Sequence, residues 1–392
     1  MDSRQVLLLP AVPRNQRKAN ALHLILDGVE ESPFLQFTEN INCTDDNVVW
    51  VLDLLVAKEL YSGHWCDNFA AQIHQVQQLR QQKGLRMQWP IAVVDNRDSP
   101  YFSSCEKIGQ AVGDENVVYS YRALVKRRRW DEEARWVKIG ETVTKERDFP
   151  PKYGYRNYHY RQRPIGVRTD MVASIEEALN EQGKSLCDPI EALERPIDVS
   201  YFWDFANYED IKSNLRDEVY QTLEKYSNET NLEMLLGVTG ERAAIGRKRV
   251  SGGYVAAMLE SKIVIVTQRD GWEDHYRLFE AIVSGALVFT DKMLSLPKGL
   301  EHGDSVVEYN SAEELLLYID YYLQHEARRL QMARKARFVA LSQHRSWQHM
   351  EEIVFGDRIT DCSGASGGSC PYSVHANGLR EPCSRSMDVA DQ

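Results

Sequence analysis

The sequence holds no apolar run close to the ~20 residues that cross a bilayer. Its main early run, residues 6–12, is broken by Pro10 and lacks the full apolar core of a secretory leader, so it reads as a buried first strand. Positive charge is scarce as well. The 47 Lys and Arg stand against 58 Asp and Glu, a formal net charge of -11. That balance disfavours non-specific binding to nucleic acid or anionic lipid, which needs Lys and Arg, although a small basic pocket can sit within an acidic surface. The 7 cysteines are odd in number and contain no CxxC pair, so neither a disulfide framework nor a zinc site is expected. No G-x-G-x-x-G follows a strand, and the glycines at 237, 240 and 246 have a different spacing. No G-K-[ST] loop is present, which leaves dehydrogenase, kinase and ATPase readings without support. No D-x-D triplet stands out as a divalent-cation site.

What the chain does have is an ordinary globular composition over 392 residues, 43% hydrophobic and 27% charged, enough for two domains. Short apolar runs alternate with helical patterns, the signature of parallel sheets covered by helices. Buried strands are expected at 48–52, 91–95 and 117–119, with a polar helix over 67–82 between the first two. A basic cluster, Lys126-Arg127-Arg128-Arg129, reads either as a solvated loop or as a patch for anions. The Tyr- and Arg-rich stretch 152–163 can stack on sugars and hold phosphate, or simply pack as an irregular loop. Pro164 and Gly166 then punctuate the chain, and a helical connector is expected over 171–193. The second half alternates strongly, with strands expected at 197–201, 232–238, 262–266, 286–290 and 305–309. Helices are expected at 208–226, 254–260, 274–284, 312–323, 326–341 and 347–353. This pattern fits a Rossmann-like domain. The domains are therefore placed at 1–165, a linker at 166–194, a second domain at 195–357, and a disordered polar tail at 358–392.

The chemistry concentrates in residues 270–291, DGWEDHYRLFEAIVSGALVFTD. A helix is joined to a strand there by the single glycine Gly285. At 100° per residue Arg277, Glu280 and Ser284 share one helix face, while Leu278, Phe279 and Ile282 turn toward a sheet. A carboxylate so placed can accept hydrogen bonds from both hydroxyls of a ribose. The helix start offers unpaired N–H groups and a positive dipole end to a pyrophosphate, with His275 and Arg277 adding charge. Alternatively Arg277 and Glu280 form a surface ion pair worth a few tenths of a kcal/mol.

The run Arg277-Leu278-Phe279-Glu280-Ala281-Ile282-Val283-Ser284-Gly285, with the apolar strand ending in Asp291, resembles the donor-binding element of GT-B glycosyltransferases. The likeness is to the CgeB-like and exostosin-like groups in particular. Neighbouring segments share the resemblance: Pro164-Ile165-Gly166-Val167, residues 196–202, Tyr254 with residues 258–262, and Val307-Glu308-Tyr309 with residues 312–315. The likeness covers about residues 164–355, and Asp95 to Pro100 bears a fainter one in the first half. It implies two Rossmann-like domains with parallel sheets facing a cleft, and a metal-independent transfer of sugar from a nucleotide-sugar, commonly UDP-linked, to a glycan or other acceptor. No cofactor beyond that substrate is implied. Glu280 inherits the ribose-binding role, and His275, Arg277, Gly285, Tyr254 and Arg168 join it as donor-binding residues. For the catalytic base, Asp95, Asp98 and His159 are the candidates, with a capping turn as the alternative role of the two aspartates. One feature departs from the retaining enzymes of the family, which carry two glutamates with seven residues between them: Glu273 and Glu280 have six, and Trp272 occupies the expected position. Other readings compatible with the same fold are a non-catalytic glycan- or protein-binding module and a nucleotide-sugar epimerase. Either the cytoplasm or, were the chain a piece of a longer one, the Golgi lumen fits the composition.

Overall fold

A computed structural model describes residues 4–9, 32, 35–38, 48–54, 57, 62–84, 91–95, 106–112, 117–121, 159–162, 166–186, 188–203, 214–237, 252–268, 276–293 and 295–355. These fall into two compact units, one holding residues up to 121, 159–162 and 346–355, the other holding 166–345. The basic cluster at 126–129 and the polar tail lie outside the described residues. Among the described residues no helix is long and apolar enough to cross a membrane.

The first unit is a six-stranded sheet of β1 (Arg4–Leu9), β2 (Leu35–Phe37), β3 (Val48–Asp53), β4 (Ile91–Asp95), β5 (Val117–Tyr121) and β6 (His159–Gln162). Its order is β2-β1-β3-β4-β5-β6, and every pairing is parallel. Parallel strands bury both faces, which is why β3 reads as a continuous apolar run: Val48, Val49, Trp50, Val51 and Leu52 are all buried. Helix α1 (Trp65–Gln82) packs against α2 (Glu106–Val112), where Gln77 Nε2 donates to the Ala111 carbonyl at 2.7 Å. Cys66 at the start of α1 is in a disulfide, contrary to the expectation from cysteine spacing. CxxC counting registers only pairs at that one spacing, and Cys66 has no cysteine at it. Strand β6 falls inside the Tyr- and Arg-rich stretch, where no strand was expected because its alternation His159-Tyr160-Arg161-Gln162 carries no aliphatic signal.

The second unit holds β7 (Ile197–Tyr201), β8 (Met234–Leu236), β9 (Ser261–Val266), β10 (Leu287–Asp291) and β11 (Val307–Tyr309), again all parallel, in the order β11-β10-β9-β7-β8. Its helices are α3 (Thr169–Asn180), α4 (Asn214–Glu229), α5 (Gly252–Leu259), α6 (Arg277–Ser284), α7 (Ala312–Gln324) and α8 (Glu326–Gln343). Residues 166–194 do not behave as a mere connector: Met171, Val172, Ile175 and Leu179 of α3 are buried, and α3 packs on α5 and α6. Where the chain enters and leaves this unit, Val167 N donates to the His344 carbonyl at 2.6 Å. The last helix, α9 (Ser346–Phe355), belongs with the first unit rather than with the domain its sequence position suggested. Met350, Ile353 and Val354 cover Val6, Leu35, Val49, Val51, Ala92 and Val94, and Ser32 Oγ donates to Glu351 at 2.7 Å.

Both sheets are α/β and doubly wound. In the second, the chain passes from β7 outward to β8, then returns to the other side of β7 for β9, β10 and β11. The topological switch lies between β7 and β9, where ligands of open α/β sheets bind beyond the carboxyl ends of the strands.

Candidate functional site

Helix α6 follows β9, so its N-terminus faces the carboxyl edge of the second sheet. The helix is short because Gly285 ends it in the left-handed conformation, φ 83°, with its N–H donating to the Ile282 carbonyl. All eight residues of α6 are buried, polar ones included, which leaves no surface ion pair of Arg277 and Glu280.

Glu280 sits at the centre of a polar cluster within this apolar setting. It is 2% exposed. Tyr254 Oη, from α5, donates to Glu280 Oε2 at 2.7 Å. Arg168 Nη1, just before α3, donates to Glu280 Oε1 at 3.3 Å. Arg277 does not pair with Glu280 on the surface; its Nε donates to Tyr254 Oη at 3.2 Å, and its Nη1 donates to the Phe202 carbonyl at 2.6 Å. That carbonyl lies just past the carboxyl end of β7, so Arg277 ties α6 to one side of the switch point. The Phe202 ring meets Tyr254 edge-on at 5.0 Å.

The electrostatics follow from burial. Desolvation pushes the Glu280 carboxyl above the ordinary carboxylate range, against the pull of Arg168, the Tyr254 hydrogen bond and Arg277; Asp170 adds to the upward push. Burial likewise raises Tyr254, helped by Glu280. Burial works against the charge on Arg168 and Arg277, but Glu280 and Asp170 outweigh it at Arg168, and Tyr254, Tyr276 and Glu280 outweigh it at Arg277. A carboxylate has about four acceptor positions, and the two contacts to Tyr254 and Arg168 use two of them.

A second group borders the same edge. Arg216, in the first turn of α4, donates from Nε to the Thr267 carbonyl at 3.0 Å, and its guanidinium lies 4.9 Å from the Trp203 ring. Asp291 Oδ1 accepts from Gln268 N at 2.6 Å, and Thr267 and Tyr309 share a hydrogen bond of 3.0 Å. Arg216 and Trp203 escaped the sequence reading because nothing in their local pattern separates them from ordinary helix and strand-end residues.

Of the expected site residues, Arg168, Tyr254, Arg277 and Glu280 come together. Gly285 does not: it stands at the other end of α6, about 12 Å along the axis from the N-terminus. There a Cβ would come within 2.8 Å of Ile190 Cγ2 and 2.9 Å of Arg195 Nη2, so its part is to end the helix. His275, Asp98, Trp272 and Glu273 lie outside the described residues, as do the side chains of Asp95 and His159. On the backbone, Asp95 ends β4 at the carboxyl edge, level with Gln162, which places His159 three register positions back from that edge. Among the described residues no three His, Cys, Asp or Glu side chains gather as a metal site.

Residues 222–354 match the model of a family described as glycosyl transferase-like. No curated protein matches the chain. Among solved structures it is similar to Anabaena Alr3699/HepE in complex with UDP and glucose, at 9% identity and a TM-score of 0.42 over 90% of this chain and 99% of that one. It is similar also to a glycosyltransferase from Rickettsia africae, at 10% identity and a TM-score of 0.40 over 91% and 96%. S. aureus MnaA with UDP is a third, at 11% identity and a TM-score of 0.39 over 90% and 97%. The family match spans α6 and the strands on either side of it, the segment that carries Arg277 and Glu280.

Proposed function

We propose that the protein is a GT-B glycosyltransferase of the CgeB-like or exostosin-like kind. In this reading its second unit binds a nucleotide-sugar, UDP-linked, and passes the sugar to a glycan or other acceptor without a metal ion. The observation that carries the reading is the buried Glu280–Tyr254–Arg168–Arg277 cluster beside the switch point, inside the stretch that matches the glycosyl transferase-like family. Such a cluster stabilises a fold poorly, because charges taken out of water are costly even when paired. Its position at a sheet's carboxyl edge suits a binding site.

In this reading the two remaining acceptor positions of Glu280 take the ribose hydroxyls. The start of α6 and the positive charge of Arg216 across the switch point favour the diphosphate, whose negative charge grows as the sugar departs. Asp95, at the carboxyl edge of the first sheet, is the preferred base among the three candidates.

A thermal-shift screen of UDP, GDP, ADP, CMP and their common sugars tests this, run beside Glu280→Gln and repeated with EDTA. A ligand at about a hundred times its Kd adds roughly 2.7 kcal/mol, a shift of about 5–11 °C in a domain of this size. The expected result is a shift with uridine nucleotides, kept in EDTA and lost in the variant. No shift with any nucleotide would sink the donor-site assignment. Turnover of the donor that needs no acceptor would point to an epimerase instead.

A further inference from the structure

Arg168 is engaged by two carboxylates of the chain itself. Its side chain is 2% exposed, and its guanidinium fork is occupied on the protein side. Nε donates to Asp170 Oδ1 at 2.9 Å, Nη2 pairs with Asp170 Oδ2, and Nη1 reaches Glu280 Oε1 at 3.3 Å. A bidentate pair with a carboxylate fixes both the plane and the direction of a guanidinium, so the remaining N–H is aimed rather than free to search. Asp170 is itself oriented, accepting from Met171 N at 2.9 Å in the first turn of α3. We propose that Arg168 is a positioning residue: clamped by Asp170, it holds Glu280 as an ionised carboxylate in a single orientation, leaving that carboxylate to receive the nucleotide.

The inference rests on the donor-site reading of Glu280 and adds how that carboxylate is kept competent. The groups acting on Glu280 come from three elements: Arg168 and Asp170 at the start of α3, Tyr254 on α5, and Arg277 on α6 itself. Toward α8, helix α6 presents the Phe279 ring to His344, 4.8 Å away. Burial alone favours the protonated carboxyl, which turns one oxygen from an acceptor into a donor and so cannot serve two ribose hydroxyls. A cation within hydrogen-bond reach opposes that, typically by about one to three pH units. Tyr254 steadies the other oxygen but brings no charge.

The test has two readouts on the full chain. The first is the titration of the Glu280 carboxyl without ligand, followed by carbon-13 NMR of glutamate-labelled protein and assigned with Glu280→Gln. Arg168→Met is expected to raise the midpoint by about one to three pH units, with Arg168→Lys recovering most of the difference. An unmoved midpoint overturns the proposal. The second is UDP affinity against pH by calorimetry. Wild-type affinity is expected to fall on the acid side as Glu280 protonates, and that fall is expected at higher pH in Arg168→Met. Should the methionine variant not fold, Asp170→Asn decides, since that carboxylate is 44% exposed. Removing a negative charge near an anionic ligand should by itself tighten binding, so weaker UDP binding in Asp170→Asn supports the clamp and tighter binding overturns it. If UDP fails to bind the wild type while the titration still moves with Arg168, the donor reading fails and the control of Glu280 by Arg168 stands.

Discussion

Glu280 illustrates how a single residue can work against the fold that holds it. Its folded-state pKa is raised, first by burial. A carboxyl raised in this way contributes stability at acid pH, below its unfolded value, and that contribution is lost as pH rises through the folded value. Glu280→Gln removes the ionisation and keeps most of the shape. The variant is therefore expected to gain melting temperature relative to the wild type on going from about pH 4 to about pH 8. A difference that stayed constant would mean that the pairing with Arg168 balances desolvation, and one that ran the other way that it outweighs it. A gain in stability with loss of nucleotide binding is the usual cost of a buried functional charge.

At the scale of elements, α6 is defined by both its ends. Its start is held to β7 by Arg277 and the Phe202 carbonyl, and its end is cut by Gly285. The left-handed backbone at Gly285 costs an ordinary residue about 1–2 kcal/mol, and a Cβ there meets Ile190 and Arg195 as well. Arg195 cannot readily give way. Its Nη1 donates to the Ser261 carbonyl at 2.7 Å and its Nη2 to the Ser284 carbonyl at 2.8 Å, joining the start of β9 to the C-terminal end of α6. Gly285→Ala is therefore expected to destabilise the second unit by at least about 1–2 kcal/mol, read as a lower urea midpoint. An unchanged midpoint would show that the αL turn relaxes without strain. Because the change lies at the end of α6 away from the ligand edge, nucleotide affinity measured well below the transition should hardly move.

For the molecule as a whole, the chain order of the units matters. The last described helix, α9, closes the first sheet, so among the described residues the first unit is not one continuous stretch of sequence. Met350 is 1% exposed against that sheet. Its truncation to alanine is expected to cost about 2–5 kcal/mol, a large part of the 5–15 kcal/mol that typically holds a domain together. The check is protease susceptibility of the first unit in Met350→Ala, with cuts in the 4–121 region expected to appear. Cleavage confined to the second unit would contradict the packing assignment.

Several features were legible in the sequence alone. The parallel α/β class followed from unbroken apolar runs such as Val48-Val49-Trp50-Val51-Leu52, because only a sheet covered on both faces buries every residue of a strand. The α6–Gly285–β10 step followed from helical spacing and a glycine stop, both local effects. Helical spacing put Arg277 and Glu280 on one face, which fits a surface ion pair as well as a site, and only the resemblance to GT-B glycosyltransferases made them site candidates. Tertiary structure alone decided the rest. The sequence could not show that Glu280 would be paired with Arg168, 112 residues away, rather than with Arg277 three residues before it. Nor could it show that α9 would pack under a sheet begun some 340 residues earlier. Local propensity acts over a few residues, whereas each of these contacts depends on where folding brings distant segments of the chain.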